Sequence, residues 1–162
     1  MSFQDTYNQE IKKQLMEALK INNPMAVPKM LKIVINVGAG EAVTNKNALT
    51  HIQEQLATIS GQKAIVTKAR KSVSAFKIRQ GLAIGAKVTL RGKNMYSFVE
   101  KLIKIVIPRL KDFRGVGPSC VDSHGNLNIG FTEQTIFPEV DFDKVDKIRG
   151  LEVTVVTNAR DH

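Results

Sequence analysis

The sequence predicts an α+β fold: a mainly antiparallel sheet with helices packed on one face and the other face left open. Three observations carry this. Residues 31–37 and 82–91 alternate apolar and polar side chains with period two, the pattern of a half-buried strand. Apolar residues recur at helical spacing in three other segments. The resulting order of helix, strand, helix, strand, strand, helix, strand, strand supplies helices for only one side of a sheet.

The elements follow in chain order. Tyr7, Ile11, Leu15, Ala18 and Leu19 form an apolar stripe with Glu10, Lys12, Lys13 and Glu17 outside it, predicting an amphipathic helix over residues 3–20 that Asn22, Asn23 and Pro24 stop. After Pro28, Leu31, Ile33, Ile35 and Val37 share one side of a strand and Lys32, Val34 and Asn36 the other. Gly38-Ala39-Gly40 ends that strand. Thr44 is the expected N-cap of a second helix with Ala48, Ile52, Leu56 and Ile59 facing inward, closed by Gly61. A short strand over Lys63 to Thr67 leads into a basic connection, Lys68 to Gly81. Next comes a long strand with Leu82, Ile84, Ala86, Val88 and Leu90 on one side and Gly85, Lys87, Thr89 and Arg91 on the other. Asn94 is expected to cap a third helix that turns Met95, Phe98, Val99, Leu102, Ile103 and Val106 inward and Glu100, Lys101 and Lys104 to water, with Pro108 near its end. Lys111 to Asn126, rich in Gly, Pro and Ser, reads as a long loop. Leu127, Ile129 and Phe131 mark one further strand and Leu151, Val153 and Val155 the last, with an acidic loop and a helical turn between them over Asp141 to Arg149.

At 162 residues, with 43% hydrophobic and 24% charged residues, the chain has the size and composition of one globular domain, taken as 1–162 with the basic loop at 68–81 projecting from it. No apolar run approaches the roughly 20 residues of a membrane span. The N-terminus carries charges where a signal peptide needs an apolar stretch, and Cys120 is the only cysteine, so the expected setting is reducing and cytoplasmic.

The net charge of +9 is unevenly spread. Residues 62–114 hold 14 Lys or Arg against Glu100 and Asp112, a balance of +12, so the rest of the chain stands at −3. Between Gln62 and Lys93 no acid offsets the nine basic residues. Such a concentration points to a polyanion, most often nucleic acid, with a merely solvated basic face as the plain alternative. If the strands share a sheet, Lys32, Asn36, Lys87, Thr89 and Arg91 gather on its open face.

Other chemistries find little support. The Gly38-Ala39-Gly40 turn would need a third glycine where Val43 stands, and Gly92-Lys93 would need a glycine at Lys87 and Ser or Thr at Asn94. His51, His124 and His162 lack metal-ligand spacing, and Asp141, Asp143 and Asp146 miss the calcium-loop register. No catalytic residue, metal or cofactor is expected. Phe76, among the cations of Ala75-Phe76-Lys77-Ile78-Arg79, has two readings: an aromatic that stacks on an exposed base or sugar, or, with Ile78, an anchor of the loop to the core. A phosphate-handling enzyme and a general DNA or membrane-surface binder remain as competing classes.

Several motifs in order closely resemble those of the bacterial large ribosomal subunit protein five family, the 5S ribosomal RNA binders. They are Ile35-Asn36-Val37-Gly38-Ala39-Gly40-Glu41-Ala42, Ile59-Ser60-Gly61-Gln62-Lys63, Thr67-Lys68-Ala69-Arg70-Lys71-Ser72, Phe76-Lys77-Ile78-Arg79-Gln80-Gly81, Lys87-Val88-Thr89-Leu90-Arg91-Gly92, Asp112-Phe113-Arg114-Gly115, Ile136-Phe137-Pro138-Glu139 and Phe142-Asp143-Lys144-Val145-Asp146. The resemblance implies an open sheet face that docks on 5S RNA in the central protuberance. Positions matching Asn36, Gln62, Thr89 and Arg91 would belong to the recognition surface, and Lys32, Lys63, Lys87 and Lys93 would contribute charge beside them. A loop matching Arg70, Lys71, Ser72, Phe76, Lys77 and Arg79 would reach the P-site transfer RNA. Implied partners are 5S and 23S ribosomal RNA, P-site transfer RNA and neighbouring ribosomal proteins, with no membrane. The family usually continues past a strand like Leu151 to Thr157 into a C-terminal helix, whereas this sequence stops at His162.

Overall fold

Among the described residues five strands, β1 (Met30–Gly38), β2 (Ile65–Lys68), β3 (Ala83–Leu90), β4 (Leu127–Phe131) and β5 (Leu151–Thr157), form one sheet in the order β2-β3-β1-β5-β4. Every pairing is antiparallel. The computed structural model describes residues 3–45, 47–110, 115–142 and 145–159; Asp112, Phe113 and Arg114 of one motif and Asp143 and Lys144 of another lie outside them.

The two-residue period explains the sheet's sidedness. Ile33, Ile35 and Val37 of β1, Ala86, Val88 and Leu90 of β3, and Leu151, Val153 and Val155 of β5 are all buried on one face. Register aligns them, with Ile35 opposite both Val88 and Val153. Leu31 departs from this pattern and is 42% exposed, because the β1–β5 pairing shifts between Met30 and Lys32. Gly85 departs too: it is buried, at a place where a side chain's Cβ would collide with Val37 O and Thr67 Oγ1. β2 begins at Ile65, two residues later than the sequence pattern suggested.

Three helices among the described residues accompany the sheet. The first, residues 3–18, joins Phe3–Thr6 and Lys12–Ala18 through a π turn at Tyr7–Ile11. Only Tyr7 of its predicted stripe is buried, its ring 5.5 Å from that of Tyr96; Ile11 and Leu15 are half-buried and Ala18 and Leu19 exposed. The second helix, Asn47–Ser60, buries Ala48, Leu49, Ile52, Leu56 and Ile59. Its first turn is held by Asn45, whose Oδ1 accepts the Asn47 amide at 3.1 Å, rather than by Thr44, whose hydroxyl donates to Glu41 O.

The third helix, residues 92–109, starts at Gly92 rather than after Asn94, with extended Arg91 at the N-cap position and no side-chain cap. It runs through a π turn at Leu102–Val106 to Arg109. Met95, Phe98, Val99, Leu102 and Val106 make its buried stripe, and Ile103, one residue round from Leu102 at the edge of that stripe, is 49% exposed. Lys101, expected in water, donates instead to Ile59 O and pairs with Glu139 Oε1, both at 2.7 Å. Phe137 plugs the core from the β4–β5 connection, 6.1 Å from Phe98 and 5.8 Å from Phe131 between ring centroids. Within Asp141 to Arg149 the expected helical turn is present as a 3-10 turn at Phe142, where Val145 N donates to Phe142 O at 3.2 Å, and the described residues after it form bends.

Candidate nucleic-acid interface

The sheet face opposite the buried residues is a grid set by register. One row runs Ile65, Lys87, Asn36, Glu152, Gly130 across all five strands, and the next runs Thr89, Val34, Thr154, Asn128. Lys87 and Asn36 are exposed and directly opposite each other, while Lys32 and Thr89 are half-buried. The alternation continues past β3 into Arg91, which keeps an extended backbone (φ −139°, ψ 163°) and is exposed. Gly92, at φ +56°, then swings the chain into the third helix, a conformation that glycine adopts without steric cost. Exposed Lys93 sits in that helix's first turn, beside its positive N-terminal end.

Gln62 comes from elsewhere in the chain. Gly61, at φ +68°, terminates the second helix, and Ser60 Oγ accepts the Gln62 amide at 3.2 Å. Gln62 Nε2 then donates to Thr89 O at 3.2 Å, which fixes the side chain at the end of β3. Lys63 beside it is exposed. The structure thus brings Gln62, Thr89, Arg91 and Lys93 to one corner of the face and Lys87 and Asn36 to its middle.

The basic connection is an ordered hairpin-like arm. Ala69 N donates to Leu82 O and Gly81 N to Ala69 O at the base, Gln80 N to Ser72 Oγ midway, and Val73 and Ile78 exchange two bonds of 2.9 and 3.1 Å near the tip. Beyond that bridge, Ser74–Phe76 makes a 3-10 turn closed by Lys77 in the left-handed region at φ 54°. Arg70, Lys71, Ser72, Lys77 and Arg79 are exposed, and no ion pair involves the arm's cations among the described residues. Phe76 is 71% exposed, so it does not anchor the arm to the core, and Ile78 is half-buried.

Glu152, Thr154 and Asn128 share the open face and escaped the sequence analysis. The signal was present for β5: Glu152 and Thr154 alternate with buried Leu151, Val153 and Val155. Thr154 Oγ1 donates to Asn128 Oδ1 at 2.8 Å.

Two acids outside the grid, Glu41 and Asp146, are engaged away from it. Arg149, buried, donates from Nε to Glu41 Oε1 at 2.6 Å and from Nη1 and Nη2 to Asp146 at 2.7 and 2.8 Å, and Lys147 Nζ meets Glu41 Oε2 at 2.9 Å. The guanidinium holds the Asp146 carboxyl down to about 2, and Lys147, then Arg149, lower that of Glu41. Gln134 braces the same loop: its amide donates to Lys147 O at 2.6 Å and accepts from the Arg149 amide. A groove of about 230 Å³ lined by His51, Glu54, Gln55, Thr58, Glu139, Val140 and Asp141 lies along the second helix. Among the described residues no group of three or more His, Cys, Asp or Glu could hold a metal ion. Also among them, no helix is long and apolar enough to cross a membrane.

Comparison with known proteins agrees along the chain. Residues 23–79 match the family model described as ribosomal protein L5, and residues 83–162 match the model for the C-terminus of the same ribosomal family. The chain is 53% identical over 156 residues to a large ribosomal subunit protein uL5 from Syntrophomonas wolfei, covering 96% of this chain and 88% of that protein. It is 52% identical to the protein of the same name from an Anaeromyxobacter species, over 96% of this chain and 87% of the other. The corresponding figure for one from Prochlorococcus marinus is 51%, over 99% and 89%.

Proposed function

The chain belongs to the ribosomal L5 protein family and is a structural, non-enzymatic constituent of the large ribosomal subunit, and we propose that its open sheet face binds 5S ribosomal RNA in the central protuberance while its arm contacts the P-site transfer RNA. The observation that carries this reading is a sheet face bearing exposed Lys87, Asn36 and Arg91, with Gln62 hydrogen-bonded beside them to Thr89 O. Lys32, Lys63, Lys87, Arg91 and Lys93 displace counterions from phosphates and supply salt-dependent affinity. Asn36, Gln62 and Thr89 add directional hydrogen bonds that set orientation.

The arm does a different job. Its backbone bonds hold the tip away from the sheet, so Arg70, Lys71, Ser72, Lys77 and Arg79 meet a second polyanion, and exposed Phe76 offers a stacking surface for an unpaired base. 23S ribosomal RNA and neighbouring ribosomal proteins are the further partners, within the bacterial ribosome. β1 lies between β3 and β5, so the two sequence segments of the family models interleave in one sheet, which supports a single domain over 1–162.

The test is competition between 5S RNA and an unrelated structured RNA of equal length at physiological salt. A preference for 5S RNA is expected. Equal affinity for both, falling alike with salt, would make the chain a general polyanion binder and defeat the proposal.

A further inference from the structure

The half of the open face on β1, β5 and β4 is built differently from the cationic corner. Asn36 and Glu152 are register partners, and both are exposed. Gly38 follows on the same face of β1, and Gly130 stands opposite Glu152 on β4; both are exposed, and a Cβ at either would meet nothing within 4 Å. Two polar side chains therefore rise from a floor of bare backbone. The neighbouring polar pair, Thr154 and Asn128, satisfies itself at 2.8 Å. The Glu152 carboxylate has neither an ion pair nor a hydrogen bond among the described residues, and Lys87, the cation of its row, stands two strands away, roughly 10 Å at ordinary strand spacing.

An ionised carboxylate only accepts hydrogen bonds, and it repels phosphate. On a face that docks RNA, the group meeting it must be a donor. A-form RNA presents donors in a wide, shallow minor groove, as ribose 2′-hydroxyls and base edges, and a floor without side chains admits such a surface closely. We infer that Glu152, seated beside Asn36 on the Gly38 and Gly130 floor, is a specificity-determining residue that accepts a hydrogen bond from a minor-groove donor, while RNA phosphates lie over the β2 and β3 side. This rests on the 5S RNA reading and deepens it. The donor is a 2′-hydroxyl or a guanine 2-amino group, which share the same chemistry toward a carboxylate.

The test measures the affinity of the full chain and of Glu152→Gln for 5S RNA and for an unrelated RNA at fixed salt, with thermal melting to confirm folding. Glu152→Gln is expected to weaken 5S binding on the order of tenfold, as for a lost charged hydrogen bond, and not to weaken binding of the unrelated RNA. Gly130→Ala, whose Cβ would meet nothing within 4 Å, is expected to weaken 5S binding in the same selective way. Two modified 5S RNAs, one with inosine for guanosine and one with 2′-deoxyribose across the protected region, identify the donor. The modification that removes it costs affinity with the native chain and costs no more with Glu152→Gln. If Glu152→Gln instead tightens both RNAs by one factor, or if both modifications add fully to it, Glu152 is only a repelling charge and the inference is overturned. A native chain with no preference for 5S RNA would refute the underlying reading instead.

Discussion

Gly85→Ala is expected to destabilise the fold by about 1–3 kcal/mol, the usual cost of overpacking a well-filled site. A methyl at this position would sit 2.7 Å from Val37 O and 2.8 Å from Thr67 Oγ1. Even a favourable carbon-to-oxygen contact lies near 3.3–3.6 Å, so β3 must withdraw from β1 and β2 by roughly half an ångström. The Thr67 contact can relax by rotation of its side chain; the Val37 contact is backbone, within a pairing that puts Gly38 opposite Gly85. Gly85 is not among the glycines at positive φ, so alanine suffers no conformational penalty, and stiffening of the unfolded chain returns about 0.4–1 kcal/mol. The net loss should lower Tm by about 2–4 °C per kcal/mol for a chain of this size. Urea unfolding at constant m-value is the measurement. Adding Thr67→Ala should restore only part of the loss, because it removes the softer of the two contacts. Gly130→Ala, in open space on the same face, serves as the control and should be neutral or slightly stabilising. Equal stability of Gly85→Ala and the native chain, or equal losses at both glycines, would refute the steric reasoning.

Three further outcomes are expected. Arg91→Ala should weaken 5S RNA binding by about 1–3 kcal/mol in a variant that melts normally; unchanged affinity at fixed salt would remove Arg91 from the interface. Lys77→Ala combined with Arg79→Ala should leave 5S binding intact and weaken the ribosome's hold on P-site transfer RNA, and a loss of 5S affinity in filter binding would show that arm and sheet face are not divided as proposed. Asp146 has a folded value of about 2 against an ordinary value of 3.8, so its contribution to stability is present above pH 4 and is lost as pH falls through 2. Glu41, also lowered, acts in the same direction. The stability gap between the native chain and Asp146→Asn should therefore be constant near neutrality and close on acidification below pH 4, and denaturant midpoints that stay parallel down to pH 2 would contradict the Arg149 pairing.

The strand periods were legible because sidedness is a local property. Ile33, Ile35 and Val37 alternate with polar neighbours whatever their partners, and the same rule assigned Lys32, Asn36, Lys87, Thr89 and Arg91 to one face. The concentration of cations in residues 62–93 and the glycine closing the second helix were equally plain. The width of a helix's buried stripe was less so: Ile103 lies at the edge of the stripe formed by Met95, Phe98, Val99, Leu102 and Val106, and spacing alone does not say how far the core reaches round the helix, which leaves Ile103 exposed.

What the sequence by itself determined is thus the type of each main element and which side of it is polar. Only the tertiary structure decided which polar residues meet. Gln62 reaches Thr89 O from 27 residues away, and Arg149 meets Glu41 from 108 away. The row Lys87, Asn36, Glu152, Gly130 exists because β1 is flanked by β3 and β5 in one register. Periodicity repeats every two residues and is indifferent to a shift of two, so it cannot choose a register. That choice comes from packing the sheet's inner-face side chains against the second and third helices, a condition satisfied only when the whole core assembles.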